Sequence, residues 1–284
     1  MSGVLVPATL AEAVSALAAD PAATLLAGGT DVMVETNFGH RRPERVIALR
    51  GVPELRQWHH DRDQNTVRIG AGVPWAQMEQ GELAALVPAL AQAARTVGSP
   101  QIRAAGTLGG NLGTSSPAGD GLPVLWALDA TVELVSAAGV RRVSAHEFTT
   151  GVKRNALRPG ELIAAVEIPV VTGWQAYAKV GPRNAMVISV VSACLVLDRP
   201  AGTVRLALGA VGPTVIRCRD TEQWLAGQLD LRTATTVPAD VANETARRVS
   251  AEARPIDDHR STADYRRHAV GVLGRRLLER AITS

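Results

Sequence analysis

Gly106-Thr107-Leu108-Gly109-Gly110-Asn111-Leu112-Gly113-Thr114-Ser115-Ser116-Pro117-Ala118-Gly119-Asp120 is the densest glycine region of the 284-residue chain. It holds several hydroxyls, one Asn and one carboxylate, and no Lys. Glycine lets a backbone approach a ligand closely and adopt positive φ. Hydroxyls and exposed N–H groups suit phosphate and polyol oxygens, and a carboxylate accepts hydrogen bonds from hydroxyls. The mixture fits a bulky phosphorylated cofactor better than free ATP, because neither G-x-x-x-x-G-K-[ST] nor G-x-G-x-x-G occurs in it. An ordinary Gly/Ser turn cluster has the same composition, and the segment alone leaves that reading open.

Working outward, a second glycine turn lies upstream. Ala23–Ala27 reads as a short apolar strand that breaks at Gly28-Gly29-Thr30-Asp31 and resumes as a helix at Val32-Met33-Val34-Glu35. Strand, glycine turn and helix start is an arrangement that leaves backbone N–H groups open to an anion. Before it, residues 9–19 predict an amphipathic helix capped by Thr9 with Glu12. After it come strands at 46–49 and 67–72, helices at 74–86 and 88–97, an apolar run at 123–128, and strands at 132–136 and 162–168.

A composition change at 169–173 marks the expected boundary between an N-terminal domain, 1–171, and a C-terminal domain, 172–284. The second domain opens with strand-like runs at Gln175–Val180, Val187–Leu197 and Val204–Val211. It closes with helical patterns near 220–227, 238–252 and 262–282. Strands followed by helices point to an α+β class.

Composition narrows the function classes. The chain is 46% hydrophobic and 20% charged, with a net charge of +3. It can bury a sizeable core, and it has no apolar run of the roughly 20 residues that a membrane helix needs. Met1–Leu5 lacks a basic segment leading into an apolar stretch, so no secretory signal is expected, and the sparse cysteines point to a reducing cytoplasm. The two cysteines, Cys194 and Cys218, cannot furnish the four thiolates of an iron–sulfur cluster. Cys194, in an apolar run, reads as a buried small hydrophobe. Aromatic residues are 3%, and no nucleic-acid motif is present. The arginine pairs 247–248, 266–267 and 275–276 read as solvated helix faces or a subunit contact. The run WHHDRDQN, with His59, His60, Asp61 and Asp63, reads as a polar hairpin tip rather than a metal site. Trp174 and Trp224 read as packing residues.

Three segments resemble one family: LLAGGTDVMVE near residue 30, VGSPQIRAAGTLGGNLGTSSPAGDGLPVLWALDA at 97–130, and ARPIDDHRSTADYRRH at 253–268. Together they look like the FAD-binding medium subunit of the molybdenum hydroxylases, of the xanthine dehydrogenase / carbon monoxide dehydrogenase type. The likeness runs over about residues 5–280. It implies a two-subdomain FAD-binding domain of the vanillyl-alcohol-oxidase (PCMH) type, followed by a small antiparallel-sheet-plus-helices C-terminal domain. It implies FAD in this chain, [2Fe–2S] clusters in a small subunit, and the molybdopterin cofactor in a large subunit. It also implies a dimer of heterotrimers passing electrons to NAD⁺, oxygen or another acceptor.

Residue by residue, Ala27, Gly28, Gly29, Thr30 and Asp31 match the first family motif, where backbone N–H groups hold the pyrophosphate. Leu25 and Val32 match its apolar flanks. Thr107, Gly109, Gly110, Asn111, Thr114 and Asp120 match the second motif. Thr107 and Gly110 would meet phosphate and adjoining oxygens, and Thr114 and Asp120 would hold ribityl or ribose hydroxyls. Val97 aligns beside the flavin, and Ile163 with an apolar contact near a ring. Lys179 matches a lysine at the flavin's pyrimidine edge.

Two departures qualify the likeness. The family often has Asp where this chain has Val187, which weakens any claim on NAD⁺. The first motif reads Gly-Gly-Thr-Asp rather than the Gly-Gly-His-Ser of carbon monoxide dehydrogenases, which tilts toward xanthine, N-heterocycle or aldehyde oxidation. The resemblance assigns no catalytic acid or base and no metal ligand to this chain. A free-standing flavoenzyme of the same fold and a cofactor-free scaffold subunit are the rival readings.

Overall fold

The computed structural model describes residues 3–40 and 42–284. Met1 and Ser2 of the N-terminal stretch lie outside the described residues. The first subdomain is built from β1 (Gly3–Leu5), α1 (Leu10–Ala19), β2 (Thr24–Leu26), α2 (Val32–Asn37) and β3 (Arg45–Ala48). Its strands form a parallel sheet in the order β1-β3-β2. Thr9 caps α1 by accepting from the Glu12 N–H at 3.1 Å, and the Glu12 carboxylate reaches back to the Ala8 N–H at 2.8 Å. The helix buries Ala13 and Leu17 against Ile47, Leu55 and Leu162.

The second subdomain begins with β4 (Trp58–Asp61) and β5 (Thr66–Gly70). A helical stretch follows: α3 (Trp75–Met78), α4 (Gly81–Leu86), α5 (Pro88–Thr96), α6 (Pro100–Ala105), α7 (Leu108–Thr114) and α8 (Gly121–Ala127). Then come β6 (Thr131–Ser136), β7 (Gly139–Ser144), α9 (Ala145–Phe148), β8 (Thr149–Gly151), β9 (Arg154–Asn155) and β10 (Leu162–Pro169). Five of the strands form an antiparallel sheet in the order β4-β5-β10-β6-β7.

Two expectations change here. The helix expected over 74–86 is two helices, because the chain extends at Gln80 and turns through Gly81 at φ +77°. His59 and His60 lie within β4 rather than at the hairpin tip. The turn itself is residues 62–65, where Asp61 accepts from the N–H groups of Asp63 and Gln64.

The remainder is β11 (Trp174–Val180), β12 (Val191–Asp198), β13 (Thr203–Gly209) and β14 (Ile216–Arg217), an antiparallel sheet in that order. It is followed by α10 (Arg219–Gln228), α11 (Ala239–Glu252) and α12 (Ala263–Thr283). Every residue from Val191 to Leu197 is buried. The reason is that β12 is covered on both faces. Cys194 and Val196 join the core of the N-terminal half, whereas Leu195 and Leu197 pack with Leu277 and Leu278 of α12. A strand covered on both faces reads as a continuous apolar run instead of alternating. Cys194 is fully buried, as its sequence setting suggests, and burial pushes its thiol pKa up.

Polar contacts also join the halves. The Gln92 side chain of α5 accepts from the Tyr177 N–H at 2.8 Å, and Arg217 of β14 donates to Asp129 at 2.8 Å. Burial alone would raise the Asp129 carboxyl; the His146 hydrogen bond, Arg217 and Arg205 outweigh it and hold its pKa at about 2.

One arginine departs from the solvated-face expectation. Arg266 is 3% exposed; it donates to the carbonyls of Val190 and Ala210 and to the Asp258 carboxylate. Arg266 is therefore a buried fastening within the C-terminal half, in a stretch most of which is exposed.

Candidate cofactor-binding site

The glycine turn after β2 is shaped by what it touches. A methyl at Gly28 would meet the Ala105 carbonyl carbon at 2.6 Å and Gly106 Cα at 2.8 Å, so only glycine permits this approach. Gly29 sits at φ +74°, a conformation strained for residues with a Cβ. Two glycine segments 80 residues apart in sequence are thereby pressed together, backbone against backbone. A hydrogen bond from Thr114 Oγ1 to Asp31 at 3.0 Å ties them again. Among the described residues, the N–H groups of Gly28, Gly29 and Thr30 find no protein acceptor.

The second segment is a helix start. Thr107 is the N-cap of α7, and Ser115 ends the helix in the left-handed region at φ 46°. Glycines in a helix cost about 1 kcal/mol each relative to Ala. Here burial of Leu108 and Leu112 and the Thr107 cap offset that cost. A methyl at Gly109 would meet Ala71 O at 2.6 Å and Ala71 Cα at 2.8 Å, so the helix lies directly on the end of β5. Its first N–H groups are already used. Leu108 donates to Val73 O, Gly109 to Ala71 O and Gly110 to Thr107 Oγ1.

Between the two segments opens a cleft of about 1170 Å³, just above the roughly 300–1,000 Å³ usual for small-molecule sites. Fifteen of the sixteen residues singled out from the sequence line it: Leu25, Ala27, Gly28, Gly29, Thr30, Asp31, Val32, Val97, Thr107, Gly109, Gly110, Asn111, Thr114, Asp120 and Ile163. Lys179 does not. Its ammonium lies behind Asp120, donating to Asp120 Oδ2 at 2.6 Å, Thr96 O at 2.8 Å and Val187 O at 3.2 Å, which uses all three of its donors.

Asp120 is likewise engaged. It is 7% exposed, and its Oδ1 accepts from Tyr177 Oη at 2.8 Å and Ser189 Oγ at 2.6 Å. It makes no side-chain cap to α8. Burial, then the Asp120 charge, pushes the Tyr177 phenol well above its ordinary pKa, so it remains a donor.

Other wall residues carried no motif signal. Trp75 packs under Gly121, and Met186, Val187 and Ile188 come from the β11–β12 loop of the other half. Burial and loop geometry place them, which spacing along the chain does not express.

The donor set fits a dinucleotide-sized cofactor. There is an open run of N–H groups for an anion, two glycine contacts that a Cβ would fill, and a buried Asn111 Oδ1 with no donor. Leu25, Val97 and Ile163 supply apolar wall for a ring system.

Comparisons with known proteins agree with this geometry. Residues 1–171 match the FAD binding domain in molybdopterin dehydrogenase, and residues 176–281 match the CO dehydrogenase flavoprotein C-terminal domain. The chain is 30% identical over 285 residues to the xanthine dehydrogenase FAD-binding subunit of Escherichia coli O157:H7, covering 98% of this chain and 94% of that one. It is 36% identical over 233 residues to the nicotinate dehydrogenase FAD-subunit of Eubacterium barkeri, covering 78% of each. The solved quinoline 2-oxidoreductase from Pseudomonas putida 86 superposes with a TM-score of 0.91 at 26% identity, covering 100% of this chain and 99% of that one. An open glycine turn facing a glycine-rich helix across a dinucleotide-sized cleft, in a chain matched end to end, places this protein in the family of FAD-binding medium subunits of the molybdenum hydroxylases.

Proposed function

We propose that this chain holds FAD in the cleft and relays electrons from a [2Fe–2S] small subunit to an acceptor. The molybdopterin-containing large subunit would oxidise the organic substrate. The open N–H groups of Gly28, Gly29 and Thr30 carry the reading, since they offer fixed dipoles to a pyrophosphate without a lysine. Asn111 Oδ1 awaits a donor, and Thr114 Oγ1 and Asp31 form a polar edge suited to sugar hydroxyls. Leu25, Val97 and Ile163 exclude water from a ring. The flavin, when bound, supplies the one- and two-electron chemistry; the protein positions and tunes it.

The wall favours electron relay over a free-standing flavoenzyme. No His, Cys or Tyr lines the cleft among the described residues. Its carboxylates are all engaged: Asp31 by Thr114, Glu35 by Lys153, Asp120 by Lys179, and Glu161 by Arg141. Lys153, a cation on this wall, is paired with Glu35. Among the described residues no His, Cys, Tyr or unpaired carboxylate is offered to a reaction needing a positioned proton donor. We further propose the boundary near residue 172, a dimer of heterotrimers, a cytoplasmic setting, and NAD⁺ or oxygen among the candidate acceptors. The test is an absorption spectrum of the protein purified with its native partners. Flavin and iron–sulfur bands that bleach together on adding a purine or N-heterocycle support the reading. A lone chain with a flavin spectrum, no iron and its own turnover overturns it.

A further inference from the structure

Most charged side chains on the cleft wall are spent inside the protein. Asp31, Glu35, Asp120 and Glu161 accept from Thr114, Lys153, Lys179 and Arg141. Three arginines on the same wall are not spent. Arg50, Arg56 and Arg158 are exposed, and among the described residues their guanidiniums make no hydrogen bond or ion pair. Glu161 does not neutralise Arg158, because its two oxygens are taken by Arg141 at 2.8 and 2.6 Å. The Arg141 hydrogen bond is the main cause that lowers the Glu161 carboxyl pKa, and the Arg158 charge adds least. Glu54, the carboxylate between Arg50 and Arg56 in sequence, accepts from the Leu10 N–H at 3.0 Å and does not line the cleft.

The fold brings the three to one end of the cleft. Arg50 and Arg56 follow Leu49 and Leu55 in the short 3-10 turns Leu49–Gly51 and Pro53–Arg56. Leu49, Leu55 and Leu162 share one buried cluster. That cluster sets both turns against the start of β10, which Arg158 precedes by four residues. The parallel pairing of β2 with β3 matches Leu26 with Ala48. Arg50 therefore leaves β3 at the same sheet end where Gly28 leaves β2. The Arg56 stem lies over Gly72, where an added Cβ would meet Arg56 Cγ at 3.3 Å. Gly72 follows Ala71, whose carbonyl accepts from the Gly109 N–H on the cleft floor.

A guanidinium with free donors binds phosphate oxygens through paired, charge-assisted hydrogen bonds. The open N–H groups of Gly28–Thr30 offer partial charges only, whereas a diphosphate carries full ones. Like-signed charges along one end of a cleft also draw an oppositely charged ligand to it. We propose that Arg50, Arg56 and Arg158 form a cationic collar at this end of the cleft, which binds the diphosphate of the cofactor's ADP portion. The proposal deepens the reading that the cleft holds FAD and rests on it for the name of the cofactor. The ligand chemistry that the collar selects is a nucleoside diphosphate, and ADP alone reports on it.

The test titrates ADP by calorimetry and FAD by flavin fluorescence into the full chain freed of flavin. Wild type is compared with Arg50→Gln, Arg56→Gln, Arg158→Gln and the Arg50→Gln, Arg56→Gln double variant. At low ionic strength each single variant is expected to bind both ligands about threefold more weakly, and the double variant about tenfold. In about 1 M salt, where the screening length is about 3 Å, the gap should close. Arg50→Lys with Arg56→Lys should recover most of the affinity, and unfolding temperatures should not move. Equal ADP affinity in wild type and double variant at low salt overturns the collar, as does a gap that persists in high salt. FAD binding that no variant weakens overturns the collar and leaves the cofactor reading standing. ADP binding with the expected salt and variant dependence, in a chain that takes up no FAD, supports the collar and removes the cofactor reading. A wild-type chain that binds neither ligand overturns both. Circular dichroism checks folding, and Arg158→Gln, on a separate segment, carries the test if the double variant is unfolded.

Discussion

The two glycine segments face each other across one cleft and use glycine for opposite ends. At Gly28–Thr30 close packing against Ala105 and Gly106 leaves the backbone donors free. At Leu108–Gly110 close packing against Ala71 and the Thr107 cap consume them. Both segments read as ligand loops in sequence, because both are rich in glycine and hydroxyls. Glycine at the first leaves open N–H groups, the anion site we propose; at the second it lets a helix lie on a strand end and form the floor beneath them.

The sharpest break of this comparison is Gly28→Ala against Gly109→Ala. Both methyls collide with backbone that cannot yield, at an expected cost of about 3 kcal/mol. For Gly28→Ala the displaced turn takes the open N–H groups with it, so FAD affinity falls about 100-fold. For Gly109→Ala the same penalty appears chiefly as a lower unfolding temperature. Flavin fluorescence titration beside thermal unfolding separates the two. Equal losses of affinity and stability in both variants would erase the distinction.

A control remote from both segments is Asp129→Asn at the junction of the halves. Asn tolerates the positive φ of this position. The Asp129 pKa is lowered to about 2, so its stabilisation is complete above the ordinary carboxylate range and is lost as pH falls through about 2. With the side chain 47% exposed, screening leaves about 1 kcal/mol. Thermal unfolding should therefore show wild type ahead of the variant by about 2–4 °C at neutral pH. The gap should close between about pH 4 and 2, with FAD affinity unchanged.

The smallest effect is expected for Thr114→Val, which removes the bond to Asp31 that joins the segments. In an exposed position this is worth about 0.5–1 kcal/mol. A severalfold weaker FAD titration with an unmoved unfolding temperature would show the bond aligning the two segments. A fall in unfolding temperature alone would show it to be structural.

Legibility in the sequence followed the locality of the interaction. Thr9 and Glu12, the glycine turn after the strand read at 23–27, and the helices read near 238–252 and 262–282 were legible, because caps and amphipathic periods are set by near neighbours. The Val187–Leu197 run was read as strand throughout, but pairing begins at Val191, since Val187 O is held by Lys179. Likewise Val204–Val211 ends as strand at Gly209, with Ala210 at φ 61°. The site residues were legible as motif types, while the spending of their donors was not. Nothing at Asp120 in the sequence tells that Tyr177, Lys179 and Ser189 converge on it from another half of the chain.

By itself the sequence determined the α+β class, most of the longer helices and strands, and the two glycine-rich segments that line the cleft, because φ freedom, capping and apolar period are properties of short stretches. Only the tertiary structure decided which N–H groups stay open, that Lys179 pairs with Asp120 from behind the wall, and that Arg266 is a buried fastening. Each of these is a question of which donor finds which acceptor across long chain separations, and burial settles it by making an unpaired polar group costly.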